Sequence, residues 1–250
     1  MMGITPESRI LLGKELRQIR RSRRAVLTST LLPLLLLVIM PMGQLASFRS
    51  MPAEALQRGG TQGLPPGIDP TNPVSFYTYF LFPLFLVIGG LMVPSQLATH
   101  TVVVERERRS LELLMALPVR VSDIVVGKLL AILAVAVGIT LPLFAVDCVF
   151  MVVWEVVTPL YLALAFLVLL SSLACAIAMA FVISLIARDF RTANNISGLI
   201  VVPIIFVTLA LMGLVPGDVK LVVLAAALLA TGLAGLLAGL RWITFERYLS

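Results

Sequence analysis

One histidine, two cysteines and a charged fraction of 13% are what this 250-residue sequence has least of. With His100 alone, catalytic or metal sites built on paired histidines are excluded. Cys148 and Cys175 both sit in apolar context, which argues against a disulfide framework and a cysteine metal cluster. The phosphate loop Gly-x-x-x-x-Gly-Lys-Ser/Thr is absent, and so are His-Glu-x-x-His and the nucleophile elbow. No set of groups with tuned acidities can be assembled into an active site. The scarcity of charge, about half the usual share, comes with 60% apolar residues. That excludes disorder, which requires too little to bury rather than too much. A soluble domain of this length has too high a surface-to-volume ratio to hide so much apolar surface. The solvent of this chain is a lipid bilayer.

A charge at the centre of a span costs roughly 2.5–3.5 kcal/mol, so long windows without charge locate the crossings. Six exist: Ala25–Phe48, the stretch between Asp69 and Glu105 with its body at Val74–Ala98, Leu129–Val146, Val156–Ala187, Thr192–Gly217 and Leu221–Leu240. The third is short, and the stem of Lys128 is expected to snorkel and lengthen it. The first follows a basic stretch as a signal peptide would, but its apolar run is too long, so it reads as a retained helix. The expected fold class is therefore an all-α membrane protein with six transmembrane helices.

The net charge of +6 is explained by how the cations are distributed, not by a nucleic-acid partner. Sixteen of the nineteen Lys and Arg fall in residues 1–24, the span 2–3 loop, the span 4–5 loop and the C-terminus. Only Arg49, Arg58 and Lys220 fall on the other side. Because cytoplasmic loops hold the excess cations, both termini are expected in the cytosol. Asp147 and Glu155 are the only charges between Lys128 and Arg188, so spans 3 and 4 turn tightly near Trp154–Pro159. An ionisable group inside a span is a functional hypothesis by default. Near a span end, solvation by outer water is the expectation for Asp147, with Trp154 and Tyr161 as interfacial anchors.

Outside the spans, residues 1–24 carry Leu12, Leu16 and Ile19 among Lys14, Arg17, Arg20 and Arg21. This is an amphipathic helix suited to the headgroup plane, and equally a topology signal. The remainder, 25–250, forms one six-span domain. Its 46–73 segment is Gly- and Pro-rich and reads as an irregular extracytoplasmic loop with room for a short helix at Pro52–Gln57. The segment 104–119 is more informative. Glu105, Arg106, Glu107, Arg108 and Arg109 lead into an amphipathic turn with Leu111, Leu114 and Met115 on one side, and Pro118 stops it. The residues alone leave two readings, a docking helix and a solvated linker whose leucines lie on the membrane. Within the spans, Ser172, Ala176, Ala180 and Ser184, and again Ala227, Thr231, Gly235 and Gly239, form small-residue stripes that let helices approach closely, as core packing or as a dimer contact. Prolines interrupt spans 1, 2, 3 and 5.

The run Glu105-Arg-Glu-Arg-Arg-Ser-Leu-Glu-Leu-Leu-Met-Ala-Leu-Pro-Val119, followed by Gly127-Lys128-Leu129, resembles the signature of the type-2 ABC exporter permeases. The charged Thr244–Leu249 end, the N-terminal amphipathic helix and the six spans are similar too, so the likeness covers essentially the whole chain. The resemblance implies that 104–119 is a cytoplasmic coupling helix seated in a groove of a separate ATP-binding subunit. Leu111, Leu114 and Met115 would be buried there, with Glu112 and the arginines paired across the contact. It also implies a second permease subunit, identical or different, and ATP and Mg2+ on the partner ATPase with no cofactor on this chain. The chain would sit as a multi-pass protein in the plasma or inner membrane and work by alternating access, with no catalysis of its own. Thr78, Tyr79, Ser95, Gln96, Asn194, Asn195 and Ser197 offer a lining suited to hydrophobic drugs or lipid-like substrates, or else simply pack, with the two asparagines capping span 5. The short connection at Leu214–Lys220 departs from relatives that place re-entrant helices there. The competing classes are a non-transporting scaffold or assembly factor and an integral membrane enzyme. A scaffold tolerates charge reversal in Glu105–Glu112, and an enzyme turns over by itself.

Overall fold

The structure, a computed structural model, describes residues 33–52, 71–98, 121–187 and 190–242, with Gly13, Thr30, Leu31, Pro65, Ile68 and Asp69. The expected interfacial helix (Gly13 apart), the 104–119 segment with Glu105 to Pro118, most of Pro52–Gln57 and the Thr244–Leu249 end lie outside the described residues. All regular structure among the described residues is helical: α1 (Leu35–Ser50), α2 (Pro73–Ala98), α3 (Val121–Val153), α4 (Pro159–Ile186), α5 (Phe190–Leu214) and α6 (Val219–Trp242).

Helices α2 to α6 are long and apolar enough to cross a membrane, with apolar stretches of 21 to 27 residues. At 1.5 Å per residue these reach roughly 30–40 Å, against about 30 Å of hydrocarbon. Helix α1, five π-helical and eleven α-helical residues, is a shorter apolar helix. Its C-terminus moves the start of the following loop from residue 46 to residue 51.

Local chemistry sets the helix starts. The Asn72 side chain accepts from the Val74 N–H at 3.0 Å and Pro73 takes the first helical position, where its missing N–H costs nothing. Thr158 and Pro159 repeat the device at α4, with the hydroxyl accepting from Tyr161 N–H at 3.3 Å. Just before α2, Asp69 Oδ1 accepts from the Thr71 amide at 2.8 Å and the Thr71 hydroxyl at 2.6 Å. These two bonds hold its carboxyl below the usual carboxylate range.

The α3–α4 turn is as tight as the sequence predicts. Val156 N–H donates to Met151 carbonyl and Glu155 N–H to Val152 carbonyl, both at 3.0 Å, which closes a Schellman cap. The left-handed position of that cap, usually glycine, is held by Glu155 at φ 53°. A side chain there costs about 1–2 kcal/mol, and an acid at a helix C-terminus opposes the dipole. Glu155→Gly is therefore expected to raise thermal stability in detergent by about 1 kcal/mol. A lowered melting temperature would show that Glu155 makes a compensating contact.

Helix α4 is the centre of the bundle, packed chiefly on α6 and α2. In its apolar stretch 67% of residues are buried, against 28% in each of α3, α5 and α6. Those three turn apolar side chains outward, among them Val149, Val152, Leu199, Phe206, Leu233 and Leu237. In lipid this has no hydrophobic cost, and helix contacts are instead set by close packing. Ser172, Ala176 and Ala180 are buried as the stripe on span 4 predicts. Of the stripe on span 6, Gly239 packs on Phe181 of α4, whereas Thr231 is exposed and nothing lies within 4 Å of Gly235, so these two do not pack within the single chain. The buried face of α6 is instead Leu221, Leu224, Ala225, Leu228 and Gly232, with Gly239 further on. A Cβ on Gly232 would stand 2.9 Å from the Cys175 backbone of α4.

Candidate functional site

Asn72-Pro73, the α3–α4 turn, Thr158-Pro159 and the four-residue α5–α6 connection gather at one end of the bundle, where Ser75, Thr78, Asp147 and Lys220 are buried. Two prolines shape the site. A ring at position i clashes with the carbonyl at i−4 and offers no N–H. The backbone escapes by widening into π-turns at Leu35–Ile39, just before Met40-Pro41, and at Tyr77–Leu81, just before Phe82-Pro83. In the second, Phe82 N–H donates five residues back to Tyr77 carbonyl. Thr78 carbonyl is thereby left facing Pro83, which has nothing to donate. The Tyr161 hydroxyl of α4 donates to it. Tyr161 is thus an interhelical brace, 2% exposed, and not the interfacial anchor expected from the sequence. Trp154 is half-buried, with the Arg49 guanidinium 5.4 Å from its ring centroid.

The brace has a testable consequence. Tyr161→Phe is expected to lower stability by about 1 kcal/mol, between the ~0.6 kcal/mol of a mean interhelical bond in a bilayer and the ~1–3 kcal/mol of an orphaned buried carbonyl. Pro83→Ala restores a donor. In that background Tyr161→Phe should cost measurably less, and a double-mutant cycle by thermal melting reads the difference. Equal costs in both backgrounds would mean that Pro83 is not what frees the carbonyl.

Around the brace the rings form a chain. Tyr77 and Phe82 centroids are 6.0 Å apart, Phe82 and Tyr161 6.4 Å, and Tyr161 and Tyr79 5.9 Å. At one end of the chain, the Lys220 ammonium lies 5.5 Å from the Tyr79 ring centroid, with Asp218 in electrostatic reach of both. At the other end, Tyr77 neighbours Asp147 electrostatically. The expectation that Asp147 faces outer water is overturned, since it is 2% exposed. Helix α3 continues to Val153, so Asp147 is six residues inside it. Helical spacing then sets it in the buried stripe Ile132, Ala136, Thr140, Phe144, Asp147, Met151. Lys128, near the far end of α3, is likewise buried.

The polar lining residues named from the sequence do not form one site. Thr78 is buried beside the aromatic chain, its hydroxyl bonded to Val74 carbonyl at 3.0 Å, and Tyr79 is in the chain itself. Ser95 and Gln96 lie further along α2, roughly 25 Å away by helical rise. Ser95 is buried and donates to Leu91 carbonyl at 2.9 Å, while Gln96 is half-buried. Asn194 and Asn195 are exposed and Ser197 is buried in the first turns of α5. Sequence reasoning missed Tyr77, Asp218 and Lys220. The available signal was Pro83 following two tyrosines at a spacing that frees a carbonyl between them. Among the described residues no group of three or more His, Cys, Asp or Glu is placed to hold a metal ion.

The helices and their buried polar end define a multi-pass helical membrane protein. The model of the ABC-2 family transporter proteins matches residues 9–219, and the chain belongs to that family. It is a membrane permease of an ABC system, a transport subunit in a family that normally works with an ATP-binding subunit. No curated protein and no solved structure matches it.

Proposed function

We propose that the chain is the membrane-spanning subunit of an ATP-driven exporter of hydrophobic or lipid-like substrates. It crosses the plasma or inner membrane six times with both termini in the cytosol, α1 being part of the first crossing, Ala25–Phe48. The 104–119 segment, between α2 and α3, is the coupling helix, and it grips a separate ATPase that carries ATP and Mg2+. A second permease subunit completes the path. The observation that carries this reading is the family match over residues 9–219, which includes that segment and the helices on either side of it. The bias of sixteen of nineteen cations to one side supports the orientation.

In alternating access, ATP favours the state it binds more tightly, and the shift can be no larger than that difference in affinity. The chain needs no catalytic group of its own for this. Its part is to move the α2–α3 connection with the ATPase and transmit the motion into two packed helices. The test is whether a phosphate-loop ATPase co-purifies with the full chain through residues 105–118. Co-purification that is indifferent to those residues would refute the coupling role.

A further inference from the structure

We propose that Asp147, with the Tyr77 end of the aromatic chain, is the recognition site for a positively charged organic group, so that the substrates are lipophilic cations. The inference rests on the transport reading above and narrows its substrate class. Both carboxylate oxygens of Asp147 are buried without a hydrogen-bond partner among the described residues. Leaving a buried charge unpaired is expensive, and in a membrane span such a group calls for a named partner.

The other buried charge at this end of the bundle differs. Lys220 makes no hydrogen bond among the described residues, but its ammonium faces the Tyr79 ring and lies near Asp218. Among the described residues no cation does the same for Asp147. Its electrostatic neighbours are Tyr77 on α2 and Cys148 on its own helix, with Tyr161 of α4 beyond Tyr77. None of these is positive.

The chemistry of the surroundings selects the kind of cation. Calcium and magnesium take six or more oxygen ligands, and Asp147 offers one carboxylate. An organic ammonium or phosphonium needs one opposite charge and aromatic surface, since ring faces attract diffuse cations. Tyr77, the ring in electrostatic reach of the acid, begins the contiguous series through Phe82 to Tyr161. Apolar arms on such a cation suit helices that are apolar around their whole circumference.

The test uses the full chain in lipid nanodiscs with radiolabelled tetraphenylphosphonium, and with tetraphenylborate as an anion of the same shape. Wild type should bind the phosphonium saturably and discriminate against the borate. Asp147→Asn, nearly isosteric, should weaken phosphonium binding roughly ten-fold or more, and Asp147→Glu should retain most of it. Size-exclusion profiles establish that the variants fold. Equal affinity in wild type and Asp147→Asn overturns the proposal. So does an absence of saturable phosphonium binding by wild type, the outcome expected if Asp147 holds only a proton. The measurement needs no ATP. Asp147-dependent binding without a co-purifying ATPase would sink the exporter reading and leave this site standing, and the converse result would do the opposite.

Discussion

Leu114→Asp is expected to abolish co-purification of the ATP-binding subunit while the chain still inserts into the membrane. The sequence spacing is expected to set Leu111, Leu114 and Met115 on one side of a turn that Pro118 ends. If that side fills an apolar groove on the ATPase, Leu114→Asp puts a carboxylate where water is excluded, with no partner. Central interface anchors are worth about 2 kcal/mol or more, so the affinity should fall at least about 30-fold. Glu112→Arg tests the polar part of the same contact and should cost a similar factor by opposing a charge paired across the interface. Neither change touches a charge-free window, so insertion and the α2–α6 bundle should be unaffected. Retention of the ATPase by both variants would return 104–119 to a membrane-surface linker. A cysteine at Ser110 that labels only from the outer side would refute the orientation as well.

The second large effect is expected from Gly232→Leu. The missing Cβ faces the Cys175 backbone at 2.9 Å, so the substitution cannot be absorbed by turning a side chain. Helix α6 must move off α4, its principal partner in the bundle. Overpacking of this kind costs about 1–3 kcal/mol, occasionally more, and backbone contact belongs at the upper end. Gly235→Leu is the control. Nothing lies within 4 Å of Gly235, and leucine in place of a helical glycine gains several tenths of a kcal/mol in propensity. Thermal melting should separate the two variants clearly. Equal losses would show that α6 is rotated from the orientation described here.

The two glycines show why the crossings were legible in the sequence and their faces were not. A charge is expensive in hydrocarbon wherever the helix is packed, so charge-free windows located α2 to α6 to within a few residues, α3 apart. Periodicity carries less information in a bilayer, because lipid-facing and helix-facing positions are both apolar. On α6 the small-residue stripe Ala227-Thr231-Gly235-Gly239 was the visible pattern, and the close approach of Gly232 to the Cys175 backbone was not. The polar end of the bundle was partly legible. Thr78 and Tyr79 were named from the sequence, but Tyr161 was assigned to the membrane surface. Its partner is a backbone carbonyl freed by a proline on another helix, and no sequence pattern links the two.

By itself, then, the sequence determined the solvent of the protein, its helical class, the approximate positions of α2 to α6 and the charged segment at 104–119. Each follows from a cost paid locally by charge, proline or chain length. Only the tertiary structure decided that Asp147 is enclosed rather than wet, that Tyr161 braces a π-turn, and which face of α6 meets α4. Those depend on what stands opposite a side chain, and inside a membrane hydropathy does not reveal it.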